Sequence, residues 1–319
     1  MDIILMQQFL RLQQHITPLL ELLDAGLRLY RRHLTRFLLL VGMLALPLGA
    51  ALFGLFLLAD RVSESVVVLL ILGGLLLTLP LSFYIMGALS RAAVMAVAGE
   101  PVRLRAALTI KPRHLAGMGC YGTLFLVVAS TMMSIASLAC IFLAYLVVFV
   151  GIIAATALPL GGGAIEQATA GLLVIVVVLI FIASYVVSLV ANGAVYSSAI
   201  YALQPFVQDQ IGVRAAMQRS LDLVTYRLGQ NLLMFFCASL VFGAAALATT
   251  LAIGVLVPLP TFFLLGEESA VAQAITAAAW VTGLAAAMPL LPIWMALFYQ
   301  QRRIARRGED LAAQLNRVV

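Results

Sequence analysis

The sequence predicts an all-α, polytopic membrane protein: about six transmembrane helices in three hairpins, each preceded by a cytoplasmic interfacial amphipathic helix. Three observations carry that prediction. Hydrophobic residues make up 64% of the 319 residues and charged ones only 10%, where a soluble domain carries roughly a quarter. Uncharged runs reach fifty residues from Ala116 to Ile165 and forty-two from Gln167 to Gln208, against the about 20 that one helical span needs. They are continuous, unlike the alternating segments of about ten residues in a membrane β-barrel. Finally, the basic residues sort to one side. With the N-terminus inside, eighteen of the nineteen fall in inner segments and only Arg61 falls outside. Inner loops attract Lys and Arg, so both termini are expected in the cytoplasm.

Residues 1–36 form the first interfacial segment. Met1–Leu10 contains Asp2 and two Gln and no small-residue cleavage pattern, so the first span is expected to direct insertion itself. Leu27, Tyr30, Leu34 and Phe37 recur at three-to-four spacing, with Arg28, Arg31, Arg32 and Arg36 on the flanks. Such a helix lies in the headgroup layer, apolar face down. The six-span bundle then covers 37–300: span one is Phe37–Leu58 and span two Val66–Val97. Ala106–Leu115, with Lys111 and Arg113, repeats the interfacial pattern before span three.

Span three starts near Leu115 and ends before Pro159. As one helix its 44 residues would run roughly 66 Å, twice a bilayer. One long or bent helix is the favoured reading. A turn near Ser130–Ser137 would instead make two spans and flip every later loop, but no Gly, Pro or charge marks it. Span four is Gly171–Leu203. A third amphipathic segment follows, with Leu221, Val224 and Leu228 spaced for one face and Arg219, Asp222 and Arg227 between them. Span five is Leu232–Val257 and span six Ala270–Tyr299. Pro289 and Pro292 predict a bend in span six. Residues 301–319 are a basic tail, and 1–319 is read as a single integral membrane domain. A weak internal repeat supports the scheme: Ala25–Leu40 can be laid against Arg219–Met234.

The chemistry of sites is sparse. Cys120, Cys140 and Cys237 lie in apolar runs with no metal or redox spacing. His15, His33 and His114 fall in interfacial segments without helical partners for a metal. There is no nucleophile elbow, and Gly161-Gly-Gly163 after Pro159 lacks the Lys of a phosphate loop. No catalytic residue, cofactor or metal is therefore expected. No charge sits at a span centre, where it would mark a functional site. Asn192, beside Gly193 and within a turn of Ser188, is the candidate polar intramembrane site. It reads first as an interhelical hydrogen-bonding residue and alternatively as part of a polar vestibule. Eighteen Arg against one Lys fits genomic bias or headgroup pairing by the guanidinium fork.

Basic residues flanking spans explain the net charge of +6 better than nucleic-acid binding does. The candidate contacts for lipid headgroups or a protein partner are Arg28, Arg31, Arg32, Arg36, Arg103, Arg105, Lys111, Arg113, Arg214, Arg219, Arg227, Arg302 and Arg303. The expected partners are membrane lipids, anionic ones above all, and a membrane or cytoplasmic protein.

Three stretches also carry a resemblance: Leu22-Leu-Asp-Ala-Gly-Leu-Arg-Leu-Tyr-Arg-Arg-His33, Arg214-Ala-Ala-Met-Gln-Arg-Ser-Leu-Asp-Leu223, and Phe298-Tyr-Gln-Gln-Arg-Arg-Ile-Ala-Arg-Arg-Gly-Glu-Asp-Leu311. In these the chain resembles uncharacterised bacterial six-helix membrane proteins related to the membrane domain of membrane-anchored glycerophosphodiester phosphodiesterases. The resemblance implies a multi-pass protein of the bacterial cytoplasmic membrane. The catalytic domain of the fused members, with its acidic metal site, has no counterpart in these residues. The expected function is a non-catalytic scaffold or accessory subunit organising lipid or protein partners. The alternative is a small-solute or lipid transporter.

Overall fold

The computed structural model describes the backbone outside residues 1, 59–62, 110–111, 158–163, 210, 267–268 and 319. Side chains are described from 17 to 308, apart from 56–62, 64, 75–80, 110–115, 210, 267–268 and much of 136–185. The regular elements described are all helical: α1 (Asp2–Arg32), α2 (Leu34–Leu58), α3 (Glu64–Val97), α4 (Leu104–Leu108), α5 (Pro112–Ala157) and α6 (Ala164–Gln204). A π-helical turn, Pro205–Asp209, follows. Then come α7 (Val213–Thr225), α8 (Leu228–Leu256), α9 (Leu259–Leu265), α10 (Ala270–Ala287) and α11 (Leu290–Val318). By length and composition five stretches can cross a bilayer: Leu34–Leu55, Ala116–Ile135, Val186–Asp209, Leu228–Leu265 and Ala270–Gly308. This is the architecture of an all-α, multi-pass membrane protein. Within α3, Ser65–Gly74 and Leu81–Val97 are shorter apolar stretches.

The long third apolar run is one helix. α5 continues for 46 residues, about 69 Å at about 1.5 Å per residue. Its partner α6 has 41. Both exceed the roughly 30 Å hydrocarbon core, which helices accommodate by tilting or by projecting beyond it. The last apolar run breaks where its prolines predict. α10 ends at Ala287, and the N–H of Met288 turns to the carbonyls of Leu284 and Ala285 at 3.1 and 3.3 Å. Pro289 and Pro292 then sit at the start of α11, where a helix leaves its N–H groups unpaired anyway. Tyr30 of α1 donates its hydroxyl to the carbonyl of Ala286 at this break, 2.6 Å away.

Helix α8 packs on α10 and α6, α10 also on α2, α5 on α6 and α2 on α3. Gly283 permits the α8–α10 approach: a Cβ there would lie 2.7 Å from Thr250 Cα. Among the described residues, however, the large buried side chains gather at one end of the bundle, the end that carries the basic residues. One cluster joins Leu19, Leu22 and Leu23 of α1 to Tyr201, Phe235, Trp294, Phe298 and Tyr299. A second packs Phe37, Leu40 and Val41 of α2 on Ile85–Ala96 of α3 and on Ile293. A third joins Phe83, Met118, Tyr121, Leu203 and Phe206. Farther along, small residues still pack α10 into the bundle, with Ala272 and Ala274 fully buried, but the described start of α3 is bare. Val66 and Val68 to Leu72 are all 45–71% exposed. Exposed residues at successive helical positions point all round the axis, so protein covers no single face of that stretch. In a bilayer such faces meet lipid tails.

Candidate functional site at the basic end

The amphipathic helices α1 and α7 and the short α4 are held at the basic end by polar contacts to the other helices. Around α4, Arg36 Nη1 donates to the carbonyl of Val102 at 2.9 Å. Tyr84 Oη donates to that of Leu108 at 2.6 Å, and Arg91 donates to that of Thr109. Arg91, near the end of α3, thus fastens the segment before α5. For α7 the buried face is Ala216, Ser220 and Leu223. That is one position round from the Leu221, Val224 and Leu228 spacing. Leu221 and Leu228 are exposed and Val224 is half-buried. Ser220 accepts a hydrogen bond from Tyr121 of α5 at 2.9 Å. Protein therefore takes the small-residue face of α7 and leaves Leu221 for lipid.

The joint between α7 and α8 is built around two residues. Asn231 is fully buried, and its Nδ2 reaches the carbonyls of Leu223, Val224 and Tyr226 at 3.0, 2.9 and 2.8 Å. These are carbonyls that the end of α7 leaves over. Arg227 precedes α8 in the left-handed conformation, φ 52° and ψ 49°. Among the described residues it is the one non-glycine with positive φ, a strain typical of functional or tightly determined positions.

Asp209, at the end of the π turn, carries a buried charge, its side chain 2% exposed. Tyr299 Oη donates to its Oδ2 at 2.6 Å. Arg219 Nε lies 3.2 Å from Oδ2 and Arg303 Nη1 lies 2.7 Å from Oδ1. One carboxylate thereby ties the π turn after α6 to α7 and α11, its buried negative charge compensated by two guanidiniums. A polar row leads into it: Gln208 Nε2 donates to Gln204 Oε1 at 2.8 Å, and Gln204 Nε2 to Ser90 Oγ of α3 at 3.1 Å. The π turn lets consecutive residues do both jobs, and such turns recur at functional positions. Sequence reading missed Asp209 and Gln204. Their signal was a pair of polar groups and Pro205 closing a long uncharged run, but Arg219, Arg303 and Tyr299 converge there only through the fold.

A second cationic group lies beside this one. Arg302, 9% exposed, donates from Nη1 to Gln230 Oε1 at 3.0 Å. It stacks on Phe298 with its guanidinium carbon 4.9 Å from the ring centre. Arg306 lies 3.7 Å from Asp222 and, like Arg227, over the Tyr226 ring at 5.1–5.5 Å. The fold therefore brings Arg219 and Arg303 together on Asp209, and Arg227 and Arg302 together on one cavity.

The other candidates lie apart. Arg28 pairs with Asp24 on exposed α1. Arg31, Arg32, Arg36, Arg103, Arg105 and Arg214 are exposed. Lys111 lies outside the described residues, as does the Arg113 side chain. Asn192 is exposed on α6 and turns its amide back to the Ser188 carbonyl at 2.8 Å. His33, between α1 and α2, has its pKa lowered, first by burial and then by Arg32 and Arg36. Among the described residues no three of His, Cys, Asp and Glu gather as a metal site would need.

No family model, no curated protein and no solved structure matches the chain. The functional reading thus rests on the geometry of the basic end.

Proposed function

We propose that this chain is a non-catalytic scaffold or accessory subunit of a bacterial cytoplasmic membrane that gathers anionic lipid or a protein partner at its basic end. In this reading α3 supplies a sixth span, the helices pair as three hairpins, and the basic end faces the cytoplasm as the positive-inside rule requires. One observation carries the proposal. Among the described residues the large buried side chains gather at the basic end, where α1 and α7 are bonded to the bundle while Arg31, Arg32, Arg103, Arg105 and Arg214 remain exposed. A rigid platform that presents guanidiniums at headgroup level suits anionic phosphate surfaces. The resemblance to membrane domains of anchored phosphodiesterases agrees with a membrane module lacking chemistry of its own.

Purification of the full chain in a mild detergent tests this. Co-purifying anionic lipid or a stoichiometric protein is the expected result. A clean monomer with neither would sink the proposal.

A second reading, a small-solute or lipid transporter, is favoured by the polar row Ser90–Gln204–Gln208 beside the π turn and by the α10–α11 break. Solute flux in proteoliposomes that is lost in Gln204→Leu would establish it over the scaffold.

A further inference from the structure

We propose that the cavity between α1, the start of α8 and α11 seats the phosphate headgroup of one anionic phospholipid. This deepens the lipid-gathering reading of the basic end by naming one built site within it. The cavity holds about 280 Å³, at the lower edge of the about 300–1,000 Å³ of small-molecule sites. It fits a headgroup and not a whole diacyl lipid.

Its lining divides by chemistry. Arg227, Gln230 and Arg302 supply the polar side, and Leu19, Leu233 and Phe298 the apolar side. The two guanidiniums come from different elements, α11 and the residue that opens α8. Arg302 is held in plane by Phe298 beneath it and by the Gln230 oxygen, so its fork is already oriented. With its oxygen engaged, Gln230 offers its NH₂ donors. The first turn of α8 carries no acidic residue, so the positive end of the helix dipole adds to the two cations. Bidentate guanidinium donors match phosphate geometry.

A membrane lipid is favoured over a soluble phosphate by what continues from the cavity. Leu240 and Leu247 are exposed along α8 at 58 and 59%, seven and fourteen residues on from Leu233 of the cavity and so close to one helix face. They form an apolar track leading from the headgroup seat toward the bilayer interior, where acyl chains would lie. The strained backbone of Arg227 places its side chain on this rim.

The test is native mass spectrometry of the full chain in detergent, titrated separately with phosphatidylglycerol, phosphatidylcholine, glycerol 3-phosphate and inorganic phosphate. One phosphatidylglycerol per chain is expected to bind at least about tenfold more tightly than phosphatidylcholine. Arg227→Gly should lose that preference while keeping the fold, because glycine accepts the left-handed backbone. Arg302→Met should lose it too. Arg31→Gln with Arg32→Gln should shed only weakly bound lipid. A preference that persists unchanged in Arg227→Gly and Arg302→Met overturns the pocket and leaves the lipid-gathering reading standing. No anionic preference in the wild-type chain overturns both. Glycerol 3-phosphate or inorganic phosphate binding as tightly as the lipid overturns the lipid assignment in favour of a soluble phosphate.

Discussion

Trp294 donates its indole N–H to the backbone carbonyl of Leu23 at 2.9 Å, binding the amphipathic first helix to the last one. Both residues are buried, and Gly26, one turn further along α1, makes room for the ring. A Cβ on Gly26 would sit 2.3 Å from Trp294 Cδ1, so Gly26→Ala must push α1 off α11 or tilt a fully enclosed ring. Overpacking of this kind costs about 1–3 kcal/mol. A lower midpoint in detergent thermal melts is expected, together with faster proteolysis within residues 17–33. Unchanged melting would show that α1 is not fastened there.

Asp209 is the electrostatic fastener of the basic end. Replacing it with Asn keeps the shape and one acceptor for Tyr299 but leaves Arg219 and Arg303 facing a neutral group. Removing one partner of a buried ion pair costs about 3–5 kcal/mol. Both guanidiniums here are about a third exposed, so water softens the loss toward the lower figure. The expected result is clear destabilisation of Asp209→Asn, with a further Arg303→Met change costing less than its effect in the wild-type chain. A double-mutant cycle measures this coupling.

Asn231 should tolerate no apolar substitute. Asn231→Leu would remove the amide that reaches the carbonyls of Leu223, Val224 and Tyr226, each unmade bond costing about 1–3 kcal/mol. Hydrogen exchange should show α7 opening before the rest of the basic end. Uniform exchange across the protein would argue that the joint is not its weak point.

His33 gives the basic end a pH dependence of definite sign. Burial and the neighbouring Arg32 and Arg36 hold its folded pKa below the ordinary histidine value. The unfolded chain therefore takes up a proton first as pH falls. The neutral-His33 contribution to stability is intact above about pH 6.5. It declines as pH drops below that value toward the folded pKa. Thermal melts of wild type and His33→Gln should diverge in slope between pH 7.5 and 5.5, with the wild type losing more. Anionic lipid, by offsetting the arginines, should bring the His33 midpoint back up, as NMR titration in lipid nanodiscs would read.

How far sequence reasoning reaches is clearest from pairs of like residues. Asn192 and Asn231 both stand in apolar helices. Asn192 stood out because small polar neighbours surround it, yet it is exposed and bonds back to its own helix. Asn231 is the buried one, with three carbonyls from the end of α7 and its cap around it. The same holds for arginines. Arg302 and Arg303 were both read as contacts of a basic tail, yet Arg302 is stacked on Phe298 and enclosed while Arg303 pairs with Asp209. Along α7 the apolar spacing indicated Leu221, whereas the protein-facing side is Ala216, Ser220 and Leu223. In a membrane protein lipid competes with protein for the greasy face, so small residues take the helix contacts.

The sequence by itself determined the helical class, the placement of the long apolar helices, the break at Pro289 and the clustering of charge. Those properties are local, following from hydropathy, helical period and missing N–H groups along a few consecutive residues. Tertiary structure alone decided that the large buried side chains gather at the basic end. It also decided that Asp209 collects Arg219, Arg303 and Tyr299, and that Arg227, Gln230 and Arg302 share one cavity. Such convergence depends on the rotation of each helix about its axis and on its depth against its neighbours. Packing volumes and buried polar bonds set both between segments far apart in the chain.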